Sequence, residues 1–315
     1  MPCPGLVPRA VLAAALSCVS LPLAGCTSVD SGAPGKSAPA IHTHLAGEAA
    51  PLPTTPPLVV PAARWLDRDL TPLEAGRTVL YYDLAGRGRS APLPENAPVN
   101  LEREVADLES VRAANGFERI AILGWGYQGA IALRYALAHP DRTAALVLIA
   151  PLPARRDLWE RTRSAFEARI DPRAVARLEK MRAGPGKRRD PLAYARGVLD
   201  ASLAVFVPDP QARARMKSDP VVLPNLDPDL AARRKRRALH ELGDWDWTED
   251  LSRLEVPTLV LHGDRGLVPI ESDTLYADTI RGARLVRLPD AGDMPWLDAP
   301  DEFFPTVEAF LSALR

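Results

Sequence analysis

Side chains able to act as bases, nucleophiles or metal ligands are sparse along this chain, and their positions limit the chemistry open to it. Of its 315 residues five are histidines (His42, His44, His139, His240 and His262) and three are cysteines (Cys3, Cys18 and Cys26). The cysteines all precede residue 27, so the body of the chain has no thiolate nucleophile, disulfide or cysteine metal site. His42 and His44 are two apart in an extended segment and share one face; no third ligand accompanies them, and no metal is expected. His139, in Ala138-His139-Pro140, ends a helix, and His262 closes an apolar run, so both read as structural. His240 stands beside Glu241 and Asp244 in a basic helical stretch. Two aspartates complete the acid–base candidates, Asp264 after His262-Gly263 and Asp293 after Ala291-Gly292. A carboxylate with a reference pKa near ~3.9 is a poor base at neutral pH unless burial retunes it.

The elements that must position these groups follow from periodicity. Leu58–Val60, Thr78–Tyr82, Ile120–Leu123, Ala145–Ile149, Thr258–Leu261 and Arg284–Leu288 are short apolar runs that read as buried strands. Between them, Asn100 can cap a helix bearing Leu101, Val105, Leu108 and Val111, and a second helix runs from about Gly129 to Ala138. Such alternation predicts a parallel sheet with right-handed crossovers. From about Ala154 to Leu251 the pattern turns helical and basic, which predicts a helical insertion between two parts of a sheet domain, 41–153 and 252–315. A last helix carries Phe303, Val307, Phe310, Leu311 and Leu314.

The first 40 residues read as an address and a tether. Arg9 precedes an apolar run too short for a spanning helix of about 20 residues. It ends in Leu23-Ala24-Gly25-Cys26, which resembles the lipobox of bacterial lipoprotein signals. That resemblance implies a leader over 1–25, an acylated Cys26 that anchors the chain to a membrane of the cell envelope, and a Ser/Gly/Pro/Ala-rich tether over 26–40.

Charge is unevenly placed. The net charge of −1 excludes a chain-wide bias toward nucleic acid. Between Arg155 and His240, however, 21 Lys/Arg face 11 Asp/Glu. Arg233-Arg234-Lys235-Arg236-Arg237 is the densest run, suited to an anionic ligand or to lipid headgroups.

Four stretches resemble the α/β-hydrolases, particularly their capped, proline-iminopeptidase-like branch. They are Tyr81-Tyr82-Asp83-Leu84-Ala85-Gly86-Arg87-Gly88-Arg89-Ser90, the run Leu123–Arg142, Val256–Gly263, and Leu288–Phe303. The resemblance implies an α/β-hydrolase fold, a mostly parallel twisted sheet flanked by helices, with a helical cap inserted after the sixth core strand, and no cofactor. It also implies a Ser-His-acid triad, and the positions that would hold one carry Gly126, Asp293 and Gly266 instead. In Gly124-Trp125-Gly126-Tyr127-Gln128 the nucleophile position has no side chain, and Gln128 stands where a packing glycine is expected, which predicts a relaxed turn. The oxyanion loop is replaced by Pro61-Ala62-Ala63-Arg64-Trp65, where proline removes a donor. Trp125, Tyr127 and Trp296 are expected to line an apolar pocket, with Trp245 and Trp247 nearby. Losing a nucleophile or base alone costs roughly 10⁶-fold in turnover. The expectation is therefore a non-catalytic homologue that binds a ligand or partner. The alternatives are a hydrolase of esters or amides with an unrelated site built on Asp264, Asp293 or His240, and a structural envelope module.

Overall fold

The computed structural model describes residues 40–47 and 55–314. The leader, Cys26 and most of the tether lie outside the described residues. Seven strands form one sheet: β1 (Thr43–Ala46), β2 (Leu58–Pro61), β3 (Val79–Tyr82), β4 (Ile120–Trp125), β5 (Thr143–Ile149), β6 (Thr258–Gly263) and β7 (Arg284–Leu288). Their order is β1-β3-β2-β4-β5-β6-β7. Only β1 runs antiparallel to its neighbour, with His44 opposite Tyr81 and stacked on its ring. Every internal strand from β2 to β6 is buried on both faces, which is why these segments read as continuous apolar runs rather than as alternation.

Each face of the sheet has its own apolar layer. Val59, Leu80, Ile122, Leu146 and Val260 point to one, and Leu58, Val60, Tyr81, Leu123, Val147 and Leu259 to the other, as the period of two requires. Helix α1 (Ala63–Leu66) follows β2, α2 is Leu101–Ala114 and α3 is Tyr127–Ala138. Asn100 caps α2 by accepting the Arg103 amide at 3.0 Å.

The insertion leaves the sheet after β5, the fifth strand among the described residues, where six had been expected. It returns at β6 and contains α4 (Arg156–Arg169), α5 (Pro172–Ala183), α6 (Pro191–Phe206) and α7 (Pro228–Glu241). The last three begin at Asp-Pro: Asp171, Asp190 and Asp227 each accept a first-turn amide, and proline follows at the position where a missing N–H does no harm. Beyond β6 come α8 (Ile270–Thr279) and α9 (Pro300–Ser312). Among the described residues no helix is long and apolar enough to cross a membrane.

Polar ties fix the cap to the core. The Asp69 carboxylate accepts the amides of Lys217 and Ser218 at 2.7 and 3.1 Å. Asn225 donates to the carbonyls of Gly88 and Ser90. Arg234 is 4% exposed. Its guanidinium donates to the Gly86 and Leu93 carbonyls at 2.7 Å each and to Pro94 at 3.2 Å. The basic run is therefore not one surface patch. Arg234 is a buried staple, Arg233 pairs with Glu95, and Arg237 pairs with Glu241.

Removing the Arg234 staple leaves three carbonyls without their charged donor. Arg234→Ala is expected to lower unfolding free energy in urea by about 2–3 kcal/mol, whereas Arg237→Ala, exposed and singly paired, should change it by less than about 0.5 kcal/mol.

Candidate active site

The C-terminal end of β4 runs directly into α3 through one residue. That residue, Gly126, has φ 57° and ψ −122°, a region in which L side chains are strained. Its amide donates to Ile149, and its carbonyl accepts from Gly129 and Leu152, so both backbone groups are engaged. The expected relaxation of this turn does not occur. A Cβ on Gly124 would lie 2.7 Å from the Gln128 carbonyl and the Gly129 Cα, and one on Gly129 would lie 2.8 Å from Pro151. The close packing is retained because Gly129, one residue beyond Gln128, supplies the missing space. At Gly126 itself an added Cβ would meet nothing within 4 Å. Helix α3 starts at Tyr127, and while the Gly129 amide bonds the Gly126 carbonyl, the Tyr127 and Gln128 amides precede any intrahelical acceptor, which leaves donors and positive helix-dipole potential at the elbow.

Asp293 is brought to this end of the sheet by the turn after β7. Its amide donates to the Phe206 carbonyl of the cap at 3.1 Å. Its carboxylate accepts the Leu267 amide at 3.0 and 3.2 Å. The side chain is 5% exposed, and desolvation pushes its pKa up to about 6, with the Leu267 N–H opposing the rise. Gly266 makes this approach possible, because a Cβ there would lie 2.8 Å from Asp293 Oδ1. The carboxyl group is thus retuned by burial toward neutrality, the condition under which a carboxylate becomes a useful base.

The other candidates go elsewhere. Asp264 forms a two-bond pair with Arg287 at 2.8 and 2.9 Å, is held below the usual carboxylate range by that bond, and does not line the cavity. It is therefore corrected as a substitute base. His240 is exposed on α7 and is likewise outside the cavity wall, because the helix turns its Leu239 side inward. His262 is buried with its Nδ1 2.7 Å from Asp273 Oδ2 and its Nε2 3.7 Å from Asp264 Oδ1. Burial pushes Asp273 up to about 6, against the pull of His262.

Between the sheet and the cap lies a mainly apolar cavity of about 200 Å³. Gly126, Trp125, Tyr127 and Asp293 share its wall with the cap residues Phe166 and Phe206. Bulk at 125 and 127 therefore shapes the cavity without filling it. Trp296 was expected there too, but it is 3% exposed and stands behind Trp125, edge-on at 5.5 Å, as a core residue. Trp245 and Trp247 pack against each other within the core, away from the cavity wall. The residues missed by sequence reasoning are Arg64 and Arg87, which also line the cavity. Their positions, beyond the β2 turn and within Arg87-Gly88-Arg89, were visible, but nothing local showed that their side chains face inward.

A parallel sheet whose central strand enters a helix through a positive-φ turn, beneath a helical cap, defines the hydrolase class to which this protein is assigned. The chain belongs to the α/β-hydrolase fold family, whose model matches residues 62–300. It is 25% identical over 248 residues to the proline iminopeptidase of Saccharolobus solfataricus, covering 75% of this chain and 76% of that one. It is 27% identical over 238 residues to the pimeloyl-[acyl-carrier protein] methyl ester esterase of Aeromonas hydrophila, covering 74% and 84%. The crystal structure of the Mycobacterium smegmatis proline iminopeptidase superposes with a TM-score of 0.63 at 22% identity, covering 86% and 94%, a likeness of fold.

These relatives correct the expectation of a non-catalytic homologue: proteins similar over three quarters of the chain bear the names of working hydrolases. The physical reason is that losing a serine removes one covalent route and leaves the cavity, the elbow amides and a buried carboxyl group in place.

Burial of Asp293 is linked to stability. Its folded pKa, about 6, lies above its ordinary 3.8, so the native state holds the proton longer and stability falls as pH rises from about 4 to about 6. Asp293→Asn keeps an acceptor for the Leu267 amide and removes this penalty. It should unfold at higher urea than the parent at pH 7.5, by up to about 3 kcal/mol, with the difference gone near pH 3.5.

Proposed function

We propose that this protein hydrolyses carboxylic esters or amides by direct attack of water, with Asp293 as the general base. The reading is carried by one observation: a carboxyl group raised to about 6 shares a cavity wall with the open, positive-φ elbow at Gly126. In this scheme a water beside Gly126 occupies the space a serine side chain would fill. Asp293 takes one proton as the water oxygen bonds to the acyl carbon, and the carbonyl π electrons move onto oxygen. The α3 first-turn amides of Tyr127 and Gln128 stabilise that oxyanion. Collapse restores the carbonyl and breaks the bond to the leaving oxygen or nitrogen, which receives the proton from Asp293. No acyl-enzyme forms, so the absence of a side chain at position 126 is part of the mechanism.

Apolar walls suit such a step, because excluding bulk water strengthens each charge interaction inside the cavity. The proposal also retains the export reading: an acylated Cys26, left after removal of the 1–25 leader, would hold the enzyme at an envelope membrane. Arg233 and Arg237 on α7 would then exchange their surface partners Glu95 and Glu241 for anionic headgroups, beside Arg236.

The test is a panel of esters and aminoacyl amides with the parent, Asp293→Asn and Gly126→Ala. The parent should show a single ascending limb in kcat/KM centred near pH 6, the direction expected when ionisation creates the base. Asp293→Asn should lose about 10²–10⁴-fold in kcat without loss of fold. Gly126→Ala places a methyl group where the water stands and strains the turn by about 1–3 kcal/mol, so turnover should fall with a modest drop in Tm. Full activity in Asp293→Asn, or a serine labelled by a fluorophosphonate, would sink the water mechanism.

A further inference from the structure

We infer that the cavity receives a carboxylate of the ligand, distinct from the group cleaved, and that the Arg64 guanidinium is its anchor. The inference deepens the hydrolase reading by naming the substrate class, an acyl compound with a free carboxylate, but the binding site stands on its own geometry.

The charges of the cavity wall are unbalanced. Arg64, Arg87, Arg163 and Lys235 line it, against Asp227 and Asp293. Most of these already have partners. Asp227 is held by Lys187 at 2.8 Å, Arg163 bonds Glu160 and Glu167, and Lys235 sits over the Tyr127 ring at 5.6 Å. Arg87 pairs with Glu104 through Nη1, while its Nη2 is buried and, among the described residues, has no hydrogen-bond partner. Arg64 is the exception in full. Among the described residues its guanidinium makes no hydrogen bond and no ion pair, although the side chain is partly buried. The nearby Asp83 is already taken, accepting the Arg64 amide at 2.8 Å, the Arg89 amide at 3.0 Å and Arg89 Nε at 2.8 Å.

A half-buried cation whose nearby carboxylate, Asp83, already accepts three other N–H groups is under-compensated. Desolvation, opposed by attraction to Asp83 and reinforced by repulsion from Arg87 and Arg89, brings the Arg64 pKa down to about 10. The backbone adds a second strained feature at the same place. Ala62, which caps α1 two residues before Arg64, has φ 64° and ψ 47°, the left-handed region that alanine avoids. The turn that places Arg64 in the cavity wall is therefore held against local preference. A planar guanidinium matches a carboxylate with two parallel bonds.

The experiment measures binding of octanoate, octanol and octyl phosphate to the full chain. The readouts are tryptophan fluorescence, since Trp65 and Trp125 line the cavity, and thermal shift. Octanoate is expected to bind about ten-fold or more tightly than octanol. Arg64→Gln should erase that preference, leave octanol affinity within about two-fold, and keep or raise Tm because repulsion with Arg87 and Arg89 is relieved. Arg64→Lys should retain part of the preference as a point charge, and serves if the glutamine variant does not fold. Equal affinity of octanoate and octanol for the parent, or a preference that survives Arg64→Gln, would overturn the assignment. Tighter binding of octyl phosphate than of octanoate would overturn the carboxylate in favour of a phosphate ligand. A carboxylate preference in a protein that turns over nothing in the ester and amide panel would support this site while removing the hydrolase reading.

Discussion

The close crossing of β4 over the start of α3 is the constraint on which the site depends. Strand and helix can meet this tightly only because Gly124 and Gly129 present no side chain to each other's backbone and to Pro151. With that contact fixed, the single residue between strand and helix is forced to positive φ. The turn then sets Trp125 and Tyr127 as cavity walls and anchors the β5 exit through the Gly126 carbonyl and the Leu152 amide. A family site can lose its side-chain nucleophile without losing this geometry, because the geometry is made by backbone packing.

Buried charge is handled in three different ways around this frame, and the differences separate structure from function. Arg234 is desolvated and answered through both Nη atoms by three carbonyls of the segment following β3, while its Nε has no hydrogen-bond partner among the described residues. Its contribution is to fix the cap. Asp293 is desolvated and half answered, by one amide, and so keeps its proton to about pH 6. Arg64 is desolvated and, among the described residues, unanswered by any hydrogen bond or ion pair. In a low-dielectric wall each unmet charge is a standing demand for a proton or a counter-ion. Those two demands fall on the same cavity, beside a strained alanine at each of positions 62 and 150. Local strain concentrated at one end of the sheet fits a site that is over-determined by its surroundings.

The relatives and the geometry together change how the missing triad is read. Glycine at 126 and aspartate at 293 suggest loss when they are compared with a serine mechanism alone. In three dimensions they are an open elbow and a retuned carboxyl group lining one apolar cavity, and the similar proteins are named as an iminopeptidase and an esterase. Asp264 and His240, equally plausible on paper, are excluded by where their side chains lie: one is paired with Arg287 and the other is on the outer side of α7.

Much of the fold was legible in the chain because its signals are local. Buried parallel strands show as short apolar runs, and Asn100 announces α2 because its cap needs only the next few amides, whereas the Asp-Pro caps of the three cap helices were not read from the sequence. Candidate residues 126 and 293 were found by their place in family-like motifs. The packing role of Gly129, the burial of Trp296 behind Trp125, and the splitting of the basic run into a staple, a cavity residue and surface pairs were not legible. Each depends on contacts between segments far apart in sequence. The same holds for the decisive quantity at the site. A carboxylate's ionisation and an arginine's lack of a partner are set by desolvation and by neighbours brought in from β3, the cap and the loop after β6. The chain alone fixed which groups exist and which strands carry them; only the tertiary packing decided which of those charges would be left in want of a proton or an anion.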